Sequence, residues 1–380
     1  MQKFFTVIIG GGIIGKTISF ELTRRNIENV IIDDQTFKKT TYVAAGMIAP
    51  ISEAVFNEES LIEPNLHSHS KWLDLAKDLT EITGNPSSLS QTPALLVAKT
   101  SDDRAILDNL LGFYDRCHLQ TTRLSVAESQ QLVEGLTPIL NSGALLNSDY
   151  FLEPKLEMQL LDQALNKLKV KTIFERATDI NADHPGQIKI TLSDSNQIVA
   201  ENVVFATGLG GMDLLGEPFK SDLGIIKVKG QIITLKQSFS TKKLERVIRG
   251  TVNRTPIYLV PRSNNMIAVG ATQETTGFDT GNTVEGLYNL LQPAIELYPS
   301  LREAEIIAID YGFRPGTKDN IAYIGRIANS SILCAIGHFR HGILQAPLTA
   351  EIIADEIEQV PNCFANVFSP NRAIGKINIQ

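Results

Sequence analysis

Phe4-Phe5-Thr6-Val7-Ile8-Ile9-Gly10-Gly11-Gly12-Ile13-Ile14-Gly15 is the stretch that decides the fold. Phe4 to Ile9 is rich in β-branched and aromatic residues and shows no polar alternation, which predicts a strand buried on both faces. Gly10-x-Gly12-x-x-Gly15 follows at once. Lys16 to Arg25 then predicts a helix with Ile18 and Leu22 on one face, and Asn29-Val30-Ile31-Ile32-Asp33 a second buried strand that ends in an acid. Strand, glycine turn, helix and strand fill about 30 residues, the span of one βαβ unit.

Each glycine has a steric reason. Gly10 permits the tight turn, Gly12 lets backbone approach a pyrophosphate, and Gly15 lets the helix pack close to the strand. The helix N-terminus then offers free N–H groups and the positive end of its dipole to phosphate. Asp33 lies 18 residues after Gly15, where an acid can bond ribose hydroxyls and would repel a 2′-phosphate, which argues against NADP. A glycine-rich turn in an unrelated α/β fold would give the bare motif. Both strands, the helix and the acid together point to a dinucleotide site.

The motif alone does not separate NAD from FAD; more distant segments do. Thr40-Thr41-Tyr42-Val43-Ala44-Ala45-Gly46-Met47 follows the second strand closely, and its small residues would let backbone N–H groups reach a second part of an extended cofactor. Capping of a helix N-terminus by Thr40 or Thr41 is a compatible reading. Val203 to Gly208 predicts another buried strand, running into Ala206-Thr207-Gly208. Ile332 to Gly337 predicts one more, and Gly342 to Ala350 the start of a helix whose N-terminus faces the cofactor. An NAD-dependent dehydrogenase would continue in regular βα units; here the chain returns to its first lobe near residue 200 and again near 310, a recurrence that suits FAD.

The 380 residues are long for one core and predict two lobes. The expected fold class is α/β, with a Rossmann-like FAD-binding domain from residues 1–88, 147–222 and 308–380. An α+β substrate domain on a mostly antiparallel sheet is expected from 89–146 and 223–307. In the second domain Ile257–Val260 and Met266–Val269 read as a hairpin, Gly224–Leu235 as a half-exposed strand and Thr283–Leu297 as a covering helix. Hydrophobic residues make up 43% and charged residues 20%, with a net charge of −7 and no long basic run, so nucleic acid and anionic membranes are not expected partners. Cys117, Cys334 and Cys363 are dispersed and have no metal-ligand spacing, which favours a reducing, cytoplasmic compartment. The apolar N-terminal run passes directly into glycines without a cleavage pattern, so it is not read as a signal peptide. His67 and His69 have no third ligand at helical spacing, no metal is expected, and Trp72 reads as core.

Arg314 and Arg340 sit in glycine-punctuated turns beside apolar strands, in Gly312-Phe313-Arg314-Pro315-Gly316-Thr317 and Gly337-His338-Phe339-Arg340-His341-Gly342. A guanidinium so anchored suits a bidentate carboxylate grip. Structural ion pairs fit the same residues equally well.

With these segments in view, the chain resembles glycine oxidases of the thiamine-pathway type, within the wider D-amino-acid-oxidase family. The resemblance rests on Gly10–Gly15 with Asp33, Ala44–Met47, Tyr258–Arg262 with Val269–Thr272, and Gly312–Thr317 with Gly337–Pro347. It implies non-covalent FAD and oxidation of glycine or another small amino acid: hydride transfer to the flavin, imine hydrolysis, and reduction of O2 to H2O2, feeding thiamine thiazole synthesis. It makes Arg314 the carboxylate clamp and Tyr258 its second donor, sets Arg340 near substrate and flavin, and puts Met47 in the pocket wall. Gln273 and His341 depart from the family's usual residues and are expected at the pocket; His341 would titrate near neutral pH or bond loop backbone. The FAD contacts it implies are Gly10, Gly12, Ile13, Ile14, Gly15, Asp33, Asp34, Thr40, Thr41, Ala44, Ala45, Gly46, Met47, Thr178, Ala206, Thr207, Gly208, His338, Phe339, Arg340, His341, Gly342, Ile343 and Leu344. A homotetramer follows by analogy. Sarcosine oxidase and D-amino-acid oxidase or dehydrogenase activity are the neighbouring alternatives, and a non-catalytic flavin-binding protein the remote one. Ile309–Pro315 contains no cysteine, which disfavours covalent flavin.

Overall fold

The computed structural model of the protein describes residues 1–35, 39–184, 187–217, 219–238, 243–275, 281–327 and 330–374. Two eight-stranded sheets organise these residues. The first runs Tyr323–Arg326, Ile332–Ile336, Gln197–Phe205, Gln2–Ile9, Asn29–Ile32, Lys171–Ile173. The last five pair in parallel, while Tyr323–Arg326 and the hairpin Ala177–His184/Gln187–Leu192 pair antiparallel. The first strand explains why its sequence lacks alternation. Val7 and Ile9 enter one core with Val30, Val203 and Phe205, while Ile8 enters another with Ile18, Ile31 and Val204. Both faces are covered, so the run is apolar apart from Thr6, which is itself fully buried.

The second sheet runs Glu305–Gly316, Ile226–Lys236, Met266–Gly270, Thr255–Pro261, Ile248–Val252, Ala94–Ala98, Ser142–Leu146, Thr121–Leu124. Only Ile248–Val252 with Ala94–Ala98 is parallel. The expected hairpin at Pro261–Asn265 forms, and the covering helix runs Val284–Leu297 with Thr283 as its N-cap.

Three boundaries differ from the sequence reading. The first helix begins at Ile13, because Gly12 takes the extended N-cap conformation and the chain turns helical directly after it. The helix expected to start at Gly342 starts later: a tight turn at Phe339–His341 is followed by turn residues 342–345, and the helix is Ala346–Glu358, with Pro347 in its first turn, where a missing N–H costs nothing. Glu305–Gly316, placed from residue 308 with the cofactor lobe, instead pairs with Ile226–Lys236 along its whole length. Arg314 therefore enters from the second sheet.

Trp72 is fully buried and donates its indole N–H to Ile343 O at 2.9 Å and Leu344 O at 3.1 Å. Together with Ser68, which donates to Leu344 O at 2.6 Å, it ties helix Ile62–Thr83 to the loop that carries Arg340. No helix among the described residues is long and apolar enough to cross a membrane.

Candidate active site

The glycine turn is built for a bound group. Gly10 holds φ +114°, and a Cβ there would sit 2.8 Å from Ala206 C; one at Gly15 would strike Gly10 O. These two glycines seal strand, turn and helix together. Gly12 is different, since a Cβ there would meet nothing nearer than Thr41 Oγ1 at 3.8 Å. Its backbone faces open space at the N-terminus of helix Ile13–Arg24, where Gly12 offers no side-chain cap. Thr41 Oγ1 accepts the Ile13 N–H at 3.3 Å, which draws the Thr40–Val43 turn to the phosphate end. Thr207 Oγ1 is buried there with no hydrogen-bond partner among the described residues. Open backbone, a free helix terminus and an orphaned hydroxyl fit a dinucleotide. Asp33 lies over Gly11 and pairs with Lys39 at 2.8 Å; Asp34 pairs with Arg176 at 2.8 Å.

Strand register puts the substrate-side residues on one face. Directly opposed residues share a face, as do alternate residues along a strand. Arg249 opposes Tyr258, Tyr258 opposes Gly270, Gly270 opposes Ile232, and Ile232 opposes Asp310. Two steps along these strands come Gly230 and Gly312, then Val228 and Arg314. Arg249, Tyr258 and Arg314 therefore project from the same side. Glycines clear the ground beneath them. A Cβ on Gly230 would lie 2.7 Å from Arg314 Nη2 and 2.8 Å from Cζ, and one on Gly270 would lie 2.6 Å from Tyr258 Cε2. Guanidinium and phenol lie on bare backbone.

Arg314 is half-buried and donates from Nη1 to Thr272 O at 3.2 Å. It makes no ion pair among the described residues. Burial pushes the Tyr258 phenol above its ordinary pKa, against the pull of Arg314 and Arg249. Tyr258 thus stays a neutral donor beside a cation that no acid among the described residues pairs with.

Arg340 lies in an alternating chain of charges. Its Nε meets Glu53 at 2.9 Å, and its Nη2 pairs with Glu58. The other Glu53 oxygen accepts from Arg249 Nη1 at 2.6 Å. Burial alone would raise the Glu53 pKa, but Arg249 and Arg340 outweigh it and hold it low. Glu58 behaves alike: burial opposes, while His341, Arg340 and Asn320 bring it down to about 2. Arg249 also reaches Ser52 Oγ at 2.9 Å and Met47 Sδ at 3.9 Å, which sets Met47 at this face.

The remaining expected residues are distributed unevenly. His341 is buried with neither ring nitrogen hydrogen-bonded among the described residues, and its Nε2 stands 3.8 Å from Glu58. Burial lowers its pKa, against the pull of Glu58 and Glu53, and its ring nitrogens bond no loop backbone among the described residues. His338 bonds Thr349 Oγ1 at 2.9 Å, and burial takes its pKa down to about 3. Gln273 is exposed, while its neighbours Thr272 and Glu274 turn back to strand Ile226–Lys236. Thr178 is exposed and donates to Thr191 O at 3.2 Å. His67 pairs with Glu351 at 2.9 Å and His69 stacks on Tyr150.

Sequence reasoning passed over Arg249, Glu53, Glu58, Asp149 and Arg262. Arg262 donates to Ala45 O and, at 3.5 Å, to Leu152 O, and burial lowers its pKa to about 10; it pins the Ala44–Met47 backbone. Glu53 did carry a signal, as the one charged residue inside the largely apolar Ile48-Ala49-Pro50-Ile51-Ser52-Glu53-Ala54-Val55-Phe56.

The profile of the FAD-dependent oxidoreductase (DAO) family matches residues 6–356. The chain belongs to that family. Its cofactor is FAD. This FAD-dependent oxidoreductase is 29% identical to the glycine oxidase of Geobacillus kaustophilus, with 100% of both chains covered. It is 31% identical to the bifunctional protein ThiO/ThiG of Nostoc sp., over 92% of this chain and 52% of that protein; it spans about half the length of its ThiO/ThiG relatives. Among solved structures, glycine oxidase from Geobacillus kaustophilus superposes with a TM-score of 0.88 at 27% identity, covering 99% of this chain and 100% of that one. Iminodiacetate oxidase from Chelativorans sp. shares the fold, with a TM-score of 0.83 at 22% identity over 96% of this chain and 98% of that one.

Proposed function

We propose that this FAD-dependent oxidoreductase is an oxidase of small amino acids, with glycine as the first candidate substrate and H2O2 as a product. The observation that carries this reading is Arg314, a guanidinium without an acid partner among the described residues, on the same sheet face as the neutral phenol of Tyr258. A substrate carboxylate supplies the missing partner. Arg314 donates two parallel hydrogen bonds to it and Tyr258 donates one more, which fixes the α-carbon relative to the protein.

Bound FAD supplies the two-electron oxidation of the carbon–nitrogen bond and hands the electrons to O2. Gly10, Gly12, Ile13, Ile14 and Gly15 would hold its pyrophosphate, Asp33 its ribose, and Ala44 to Met47 with the His338 to Leu344 loop its far end. Glu53 is not free to act as a base, because both of its carboxylate oxygens already serve arginines. The substrate amine must therefore arrive neutral, and the imine product hydrolyses to an oxo acid and ammonia. The same reading places the protein in the cytoplasm, as a homo-oligomer, in the thiamine-linked group its sequence resembles.

Peroxide release from purified, FAD-loaded protein with glycine, sarcosine and D-alanine tests the reading and ranks the substrates. If no small amino or imino acid yields peroxide, and none bleaches the flavin anaerobically, the enzyme reading falls.

A further inference from the structure

Three arginines, Arg249, Arg314 and Arg340, approach the substrate face, yet an amino acid with one carboxylate needs only one of them. The other two share a single carboxylate. Glu53 gives one oxygen to Arg249 at 2.6 Å and the other to Arg340 at 2.9 Å. Its partners come from different parts of the fold, Arg249 from strand Ile248–Val252 and Arg340 from the turn Phe339–His341. Glu58 completes the series, so the chain Arg249–Glu53–Arg340–Glu58 carries no net charge. Arg314 makes no ion pair among the described residues, so its charge stays open to a substrate carboxylate.

We propose that Glu53 is a specificity-determining residue, masking Arg249 and Arg340 so that the site accepts substrates with one carboxylate and rejects dicarboxylates. The inference rests on Arg314 being the carboxylate clamp. Arg249 opposes Tyr258 on the adjacent strand, which puts it within a cross-strand step of the residue that assists Arg314. A second carboxylate extending past Tyr258 would meet Arg249, where Glu53 already holds the guanidinium and repels the newcomer. Like-charge juxtaposition of this kind is how a site excludes a near-analogue without losing its proper ligand.

The test is ligand binding, read from the absorbance change of FAD-loaded protein on addition of acetate, malonate, succinate or glutarate. For the wild type, acetate should bind at least tenfold more tightly than the best dicarboxylate. In Glu53→Gln the dicarboxylate-to-acetate affinity ratio should rise at least tenfold, and in Glu53→Gln/Arg249→Gln, which restores charge balance, it should return to near the wild-type value. Arg249→Gln alone leaves Glu53 half-paired and should lower the ratio at least threefold; this variant decides the matter if Glu53→Gln does not retain FAD. A ratio that stays constant across the variants, or stays high in the double variant, overturns the proposal. Arg314→Ala should abolish acetate binding. If it binds acetate like the wild type, the clamp assignment fails and this inference fails with it, whereas loss of acetate with a constant ratio sinks the role of Glu53 alone.

Discussion

The guanidinium of Arg314 lies across the backbone of Gly230, so close that a methyl group there would sit 2.7 Å from Nη2. The two residues are on neighbouring strands, Gly230 opposite Gly312 and Arg314 two residues farther on. Position 230 is ordinary strand, so alanine suits its backbone and acts only through its methyl. Gly230→Ala should push the guanidinium off its seat and weaken its charge-assisted bonds, each worth about 1.5–3 kcal/mol. We expect kcat/KM to fall roughly 10- to 100-fold, with FAD content and unfolding midpoint close to wild type. Kinetics at unchanged FAD loading check this; normal kcat/KM would show that Arg314 does not use that seat.

Removing the clamp itself should cost more. Arg314→Ala loses two charge-assisted bonds and should lower catalytic efficiency on the order of 10²–10³-fold. Arg314→Lys keeps the charge but not the planar fork, and should recover part of the loss. FAD binding should survive both changes, because Arg314 belongs to the second sheet. Steady-state kinetics on the preferred amino acid, with FAD content measured alongside, decide it; near-normal turnover in Arg314→Ala would refute the assignment.

What the sequence made legible followed from short-range rules. The βαβ unit at Phe4–Asp33, the Pro261–Asn265 hairpin and the helix read from Thr283 to Leu297 all depend on a few adjacent residues, and all form. The motif arginine Arg314 was legible as well, but the sheet that delivers it was not. Glu305–Gly316 carries exposed Ile306, Ile307 and Ile309 beside half-buried residues, so it lacks the clean alternation that would have marked it as a continuation of the antiparallel sheet. Glu53 and Arg249 escaped for another reason. They are 196 residues apart, and only the meeting of a loop, a strand and a turn makes them partners. The acid in the Ile48–Phe56 run stands out locally, but charge pairing at that separation leaves no pattern that names its partner.

Gly12 separates cofactor loss from misfolding. A side chain at Gly10 or Gly15 would strike backbone and disturb the βαβ unit, whereas a Cβ at Gly12 would meet nothing among the described residues nearer than Thr41 Oγ1 at 3.8 Å. Gly12→Val should therefore fold but fail to retain FAD, because the valine occupies the approach of backbone to pyrophosphate. The expected outcome is a colourless protein whose far-ultraviolet circular dichroism matches wild type. A yellow, fully loaded Gly12→Val protein would remove Gly12 from the cofactor site.

Asp149 gives the Glu53 loop a measurable dependence on pH. Its carboxylate is buried and accepts the N–H groups of Ile51 at 2.8 Å and Ser52 at 3.0 Å, just before Glu53. Burial raises its pKa from 3.8 to about 6, against the opposing pull of Ser52, Ile51 and Arg249. An acid whose folded-state pKa is raised contributes stability that is fully present below its unfolded pKa and is lost as pH rises through the folded value. At 1.36 kcal/mol per pKa unit the shift amounts to about 3 kcal/mol, lost between about pH 4 and pH 6–7. Asp149→Asn cannot ionise and keeps only one good acceptor, which adds a constant penalty. Its stability relative to wild type should therefore climb by about 3 kcal/mol across that window and level off on both sides. Urea unfolding of FAD-loaded wild type and Asp149→Asn at matched pH values from 3.5 to 8 measures the difference. A difference that stays flat, or that falls with rising pH, would show that Asp149 is not held in its protonated form by burial.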